Sequence, residues 1–231
     1  MTPIMEARHK IPAGFSGLDS QLNGGFAAGD LVLIYGEPGS GKTTIALSAA
    51  SQLLRFDHAA KIIYVDSDGK FTPKRLTQIS GTEESLRRFI YTRPTTFEDQ
   101  AETFDRLPQQ LEPGDLVIVD SITGLYRVET GDTQKTFIEN KEINRQLGFL
   151  KEVALTTQAA IIMTGQVRSV IDSPFPAIEP VAQRLLLFWS DKVIRLENTA
   201  TQGVKQATIE KPRNLRIAVR FKITEKGLED Y

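Results

Sequence analysis

The sequence predicts an α/β fold: a mostly parallel, twisted sheet flanked by helices, with an antiparallel hairpin at its C-terminal end. Three observations carry this. Short β-branched runs alternate along the chain with stretches of helical spacing, the pattern of right-handed βαβ units. Several runs are apolar without a break, Leu31–Ile34, Leu116–Val119 and Ala160–Met163, which suits strands buried on both faces of a parallel sheet. After Leu196 the helical stretches stop, and Gln206–Glu210 and Ile217–Ile223 read as two antiparallel strands joined by Lys-Pro-Arg-Asn.

Taken in order, strands are expected at Asp30–Tyr35, Lys61–Asp66, Arg88–Thr92, Asp115–Asp120, Ala159–Thr164 and Lys192–Leu196. Helices are expected at Lys42–Phe56, Thr72–Ile79, Glu83–Arg88, Thr96–Leu111 and Gln134–Thr156. The last places Phe137, Ile138, Ile143, Leu147, Leu150 and Val153 at roughly helical spacing. The proline-rich piece Ser173–Pro180 reads as a mobile loop. There is no internal repeat and no low-complexity segment.

The 231 residues suit one sizeable α/β domain, and the expected division is a short segment over 1–13 followed by one core over 14–231. Apolar residues make up 40 % and charged residues 25 %, ordinary for a globular chain. No apolar run approaches the roughly 20 residues that span a bilayer. Met1–Phe15 carries Glu6, Arg8, His9 and Lys10 without an apolar centre, unlike a signal peptide or anchor, so a cytoplasmic location away from membranes is expected. The absence of cysteine excludes disulfides, thiolate metal sites and cysteine nucleophiles. His9 and His58 lack metal-ligand spacing. With a net charge of −1, any contact to nucleic acid must come from a local basic patch.

Gly36-Glu37-Pro38-Gly39-Ser40-Gly41-Lys42-Thr43-Thr44 fits the pattern G-x-x-x-x-G-K-[ST] between an apolar strand and a helical stretch. The glycines let backbone N–H groups turn inward around phosphate oxygens. Lys42 places a cation on the terminal phosphates, the Thr43 hydroxyl can ligate Mg2+, and the helix points its N-terminus at the anion. ATP and Mg2+ are the expected cofactors. Asp120 ends the run Leu116–Val119. A carboxylate there is costly without a cation to face, so Asp120 is expected to serve Mg2+ directly or through a neighbour. Asp68, in Tyr64-Val65-Asp66-Ser67-Asp68-Gly69, is the candidate base that orients attacking water; spacing alone leaves an Asp-Gly turn open. Gln166 follows the run Ala160–Gly165; a glutamine there could read the γ-phosphate, and position alone leaves an ordinary strand-end polar residue open.

On these residues the chain resembles the RecA-type recombinases of archaea and eukaryotes. Phe15–Asp19 and Leu22–Gly25 are similar to the family's lead-in to its phosphate loop, Gly36–Thr44 to its Walker A motif, and Tyr64–Leu76 to the segment bearing its catalytic acid. Leu116–Ser121 with Leu125-Tyr126-Arg127 is similar to its Walker B motif, and Thr164–Val167 to its γ-phosphate sensor. The resemblance covers about Lys10 to Tyr231 and implies a RecA-type P-loop ATPase core acting in homologous recombination and repair. It implies as partners DNA (single strands favoured, with weak sequence preference), a RadA-type recombinase and a Holliday-junction nuclease, with homo-oligomers left open. Arg75 lies in the segment similar to the family's nucleotide-facing helix, which leaves two readings open, stacking on adenine and a solvated helix arginine.

The departures shape the expected activity. The family's helix-hairpin-helix domain and phenylalanine-based polymerisation linker have no counterpart in Met1–Ala13. The family's usual catalytic Glu is Asp68 here, shorter by one methylene, or about 1.5 Å. A misplacement near 1 Å can cost on the order of 100-fold in rate, so slow hydrolysis is expected, and Asp68→Glu should raise it. Val167–Arg184 balances Arg168 and Arg184 against Asp172 and Glu179 and holds Pro174, Pro176 and Pro180, unlike a strand-exchange loop. Gln202–Lys226 holds seven basic residues against two acidic ones, a local charge of +5. Lys205, Lys211, Arg213, Arg216 and Arg220 are therefore the candidate DNA contacts, through phosphates. An accessory, ATP-binding and DNA-binding role is the reading. A filament-forming recombinase and a KaiC-like regulatory ATPase that binds protein stay open as alternatives.

Overall fold

The computed structural model describes residues 9–126, 133–169, 178–212 and 217–231. Two short strands, β1 (Lys10–Ile11) and β2 (Phe26–Ala27), pair antiparallel around helix α1 (Ser16–Gln21). The alternating part follows as β3 (Leu31–Gly36), α2 (Lys42–Phe56), β4 (Ile62–Val65), α3 (Pro73–Ser80), β5 (Phe89–Thr92), α4 (Phe97–Asp105), β6 (Leu116–Val119), α5 (Thr133–Thr157) and β7 (Ala160–Gly165). Next come a small ladder of β8 (Val167–Ser169) with β9 (Ile178–Pro180), and helix α6 (Gln183–Trp189). The chain finishes in β10 (Lys192–Asn198), β11 (Val204–Lys211), β12 (Ala218–Thr224) and β13 (Gly227–Asp230).

Among the described residues the main sheet has nine strands in the order β13-β12-β11-β10-β3-β7-β6-β4-β5. From β10 to β5 every pairing is parallel. From β10 outward through β13 the pairings are antiparallel. The predicted α/β class, parallel core and C-terminal antiparallel strands are the observed ones. The hairpin has one more strand than expected, because Gly227–Asp230 folds back on β12 in register Phe221↔Asp230 to Thr224↔Gly227.

Strand alternation divides the core in two. Val32 and Ile34 face one layer with Ile45, Leu47 and Leu53 of α2 and Leu76 of α3. Leu31, Leu33 and Tyr35 face the other, with Phe104 of α4, Ile143, Leu147 and Leu150 of α5 and Leu186 of α6. The helix expected at Thr96–Leu111 is shorter. It starts with a capping box between Thr96 and Asp99 and ends at Asp105, and Leu107–Gln109 continues as a 3-10 turn at Pro108, where proline removes a helical donor. Glu83–Arg88 is likewise a 3-10 helix. Helix α6 is an element the sequence reading missed. Of the loop expected at Ser173–Pro180, residues 173–177 lie outside the described residues, and Ile178–Pro180 is the strand β9.

Because β3, β7, β6 and β4 run parallel and adjacent, their carboxyl ends share one edge of the sheet. That edge is where open α/β sheets bind ligands. It carries the loop after Gly36, Gln166 after β7, Asp120 after β6 and Asp66–Asp68 after β4.

Candidate nucleotide-binding site

The loop between β3 and α2 is shaped by glycine. Gly36, Gly39 and Gly41 have φ of +156°, +74° and +105°, and the last two values are ones that side-chain-bearing residues rarely adopt. At Gly36 a Cβ would overlap the Leu196 carbonyl, while around Gly39 no atom lies within 4 Å of a Cβ position. The loop is thus tight against β10 and open above Gly39. Helix α2 begins at Gly41 with no side-chain cap, so its first N–H groups face the loop. The Ser40 hydroxyl is buried there without a hydrogen-bond partner. Lys42 Nζ turns into the loop and donates to the carbonyls of Gly36 at 2.7 Å and Glu37 at 2.9 Å. Burial pulls the Lys42 ammonium below its ordinary value, and the carboxylates of Asp120 and Asp68 work against that shift. Glu37 accepts from Asn198 at 3.0 Å, and Pro38 and Thr44 complete the loop and the first turn.

Asp120 is not left facing an open space. Thr43 Oγ1 donates to Asp120 Oδ2 at 2.6 Å, and the Tyr64 hydroxyl donates to the same oxygen at 2.7 Å. Thr164 Oγ1 donates to Oδ1. Three hydroxyls from α2, β4 and β7 pair this carboxylate, which accounts for its burial without a cation. Burial, then Asp120, push the Tyr64 phenol up, so it stays a donor.

Asp68 sits next to this cluster. Its Oδ1 accepts from Ser121 Oγ at 3.0 Å and from Gln166 Nε2 at 3.1 Å, and Lys70 Nζ lies 3.4 Å from Oδ2. Asp68 and Gln166, 98 residues apart, are thus brought together. The sequence reading missed what shapes this loop. Asp66 is buried and accepts the Lys70 and Phe71 amides at 3.1 and 3.0 Å and the Tyr91 hydroxyl at 3.1 Å. A carboxylate accepting N–H groups four and five residues on closes the turn. Gly69, at φ +68°, carries it beneath the Arg93 guanidinium, which a Cβ would strike.

The residues present fit a nucleotide triphosphate. The uncapped helix start, the unpartnered Ser40 hydroxyl, the open side of Gly39 and the inward Lys42 are donors for phosphate oxygens. The Thr43 hydroxyl and Asp120 fit a magnesium ion, which takes one or two protein oxygens and otherwise phosphate and water.

Arg75 is placed differently from either reading. Its guanidinium donates to the carbonyls of Thr224 and Glu225, each at 3.0 Å, and so ties α3 to the turn between β12 and β13. Lys211 also departs from its expected role. Its ammonium donates to the carbonyls of Leu187, at 3.2 Å, and Ser190, capping the end of α6, where a cation is favoured. Lys205 donates to Asn198 Oδ1 at 2.6 Å. Arg220 is exposed on β12, opposite Gln206. Arg213 and Arg216 lie outside the described residues.

A glycine loop joining a parallel strand to a helix, facing an Asp-ended strand two places along the same sheet, is the arrangement of a RecA-type P-loop fold. The Rad51 family model matches residues 6–231. The DNA repair and recombination protein RadB of Methanococcus maripaludis strain C7 is 36 % identical over 220 residues, 92 % of this chain and 97 % of that protein. RadB of Thermococcus kodakarensis is 36 % identical over 228 residues, covering 95 % and 99 %. A crystal structure of the RadB recombinase superposes with a TM-score of 0.79 at 34 % identity, covering 96 % of this chain and 99 % of that one. The chain belongs to the Rad51 family, in its RadB group of DNA repair and recombination proteins.

Proposed function

We propose that this protein binds Mg·ATP and DNA and acts beside the main recombinase in homologous recombination, hydrolysing ATP slowly. The observation that carries the reading is the meeting of four strand ends at one site: the loop of β3 with Lys42 and Thr43, Asp120 after β6, Asp68 after β4 and Gln166 after β7. The loop amides, Ser40 and Lys42 would hold the phosphates. Thr43 and Asp120 would hold the magnesium, which supplies charge neutralisation of the phosphate oxygens when bound. Asp68 would orient a water and accept its proton, and Gln166, already hydrogen-bonded to Asp68, would couple that carboxylate to the terminal phosphate.

Slow turnover follows from the short side chain of Asp68, both of whose oxygens lie near protein donors. DNA would be held through phosphates by the exposed part of the basic C-terminal segment, with Arg220 the best placed described residue and single strands the favoured form. A RadA-type recombinase and a Holliday-junction nuclease are the proposed protein partners, and residues 14–231 would act as one ATPase core. The protein would work where the DNA is, inside the cell.

The test is ATP turnover with and without single-stranded DNA, using Lys42→Ala as the blank. Turnover that is slow, lost in Lys42→Ala and barely changed by DNA supports the accessory reading. Fast turnover stimulated by DNA would replace it with an active recombinase. Normal ATP turnover without any DNA affinity would favour a regulatory ATPase that binds protein.

A further inference from the structure

Gly124 lies in the turn after β6, where its amide donates to the Ser121 carbonyl at 3.1 Å. Unlike Gly39, Gly41 or Gly69, it is not among the residues of positive φ, so the backbone there suits any L-residue. What a side chain would meet is specific. An ideal Cβ at 124 would overlap Asp68 Oδ1, while the next neighbours, Ser67 O at 3.2 Å and Ser121 Oγ at 3.3 Å, are close without overlapping. The carboxylate of Asp68 therefore occupies the space that a side chain at 124 would fill. The same oxygen is held from its other sides by Ser121 Oγ at 3.0 Å and Gln166 Nε2 at 3.1 Å.

We propose that Gly124 is a positioning residue for Asp68: its missing side chain forms the recess that seats this short carboxylate, and Ser121 and Gln166 close the recess around it. This rests on the reading of Asp68 as the base of a slow ATPase. An aspartate has two side-chain torsions and little reach, and its carboxylate meets Ser121 and Gln166 in the space that the backbone of residue 124 leaves free for want of a Cβ. A glutamate at 68 has one more torsion and about 1.5 Å more reach, and can clear a methyl at 124. The identity of residue 124 thus matters when residue 68 is Asp and much less when it is Glu.

The experiment is a double-mutant cycle on the full chain, reading kcat and KM for Mg·ATP together with thermal stability. Gly124→Ala in the native background is expected to lower kcat about 10- to 100-fold, the scale of a misplacement near 1 Å, with KM for ATP unchanged within about 3-fold. In the Asp68→Glu background Gly124→Ala is expected to change kcat by less than about 3-fold. The coupling between the two positions is the quantity that decides. Equal losses in both backgrounds would overturn the proposal, because a general disturbance of the turn does not depend on residue 68.

Asp68→Asn separates this from the underlying reading. If Asp68→Asn leaves kcat unchanged, Asp68 is not the base, and the seating is then judged by the side-chain amide signals of Gln166 in nitrogen-15 spectra. Gly124→Ala must displace those signals in the same sense as Asp68→Ala, since the one moves and the other removes the oxygen that accepts from the Gln166 amide. Gln166 signals unmoved by Gly124→Ala would mean that Asp68 stays seated beside a methyl, and the recess has no role.

Discussion

Thr43 and Asp120 meet at 2.6 Å across the end of the sheet, 77 residues apart in the chain. The bond locks the first turn of α2 to the end of β6. It also means that the hydroxyl and the carboxylate proposed for magnesium are already aligned, with Tyr64 on the same carboxylate oxygen and Thr164 on the other.

Removing that carboxylate should therefore have two separable effects. Asp120→Ala leaves the buried hydroxyls of Tyr64 and Thr164 and the half-buried one of Thr43 without their acceptor, and each unsatisfied buried group costs about 1–3 kcal/mol. Chemical denaturation is expected to show the loss of stability with or without nucleotide. Fluorescent-nucleotide titration is expected to show loss of the magnesium-dependent part of the affinity. Nucleotide affinity that keeps its full response to magnesium in Asp120→Ala would remove Asp120 from the metal role.

Asp66, which the sequence reading left aside, is expected to matter as much as Asp68. It holds the loop from 66 to 71 by two amides and the Tyr91 hydroxyl. Asp66→Ala should destabilise the protein by about 2 kcal/mol and lower ATP turnover by loosening Asp68. Tyr91→Phe removes only one donor and should cost under about 1 kcal/mol. Paired unfolding curves check both values.

The basic segment divides into structural and available cations. Lys211→Ala uncaps α6 and should cost about 1 kcal/mol of stability with DNA affinity unchanged at equal folded fraction. Arg220→Ala should leave stability within about 0.5 kcal/mol and reduce the slope of log affinity against log salt by about 1. Fluorescence anisotropy with a labelled single strand at several salt concentrations distinguishes the two.

Asp230 closes the molecule on itself. It accepts the amides of Ser16 and Gly17 at 3.0 and 2.7 Å and the Ser16 hydroxyl, capping α1, which has no cap of its own at Phe15. Burial works to raise the Asp230 carboxyl, but these hydrogen bonds outweigh it and hold the group below its ordinary value of 3.8. The unfolded chain then binds the proton more readily than the folded one, so the stabilisation is fully present above pH 3.8 and fades as pH falls through the lower folded value. Asp230→Ala is expected to cost about 1 kcal/mol at neutral pH, a fall in Tm of about 2–4 °C. The difference from the native protein should shrink below that pH, which melts across an acid pH series would show.

What the sequence determined by itself was local. The phosphate loop could be read because strand, glycines, lysine and helix are contiguous, and the conformation of Gly39 and Gly41 follows from residue type. Buried parallel strands could be read because continuous β-branched runs have few other uses. Helix α6 could not, since Gln183–Trp189 is apolar almost throughout and such a run has no period to separate helix from strand. The carbonyl contacts of Arg75 and Lys211 could not be read for a related reason: charge is visible in a sequence, but not which backbone carbonyls it meets. Only the tertiary structure decided the relationships across the sheet. Strand order places β7 between β3 and β6, and from that order follow the contacts of Gln166 with Asp68, of three hydroxyls with Asp120, and of Gly124 with the carboxylate it admits. Those contacts depend on which strand ends become neighbours and on sub-ångström clearance between side chains, and neither quantity is carried by any local stretch of residues.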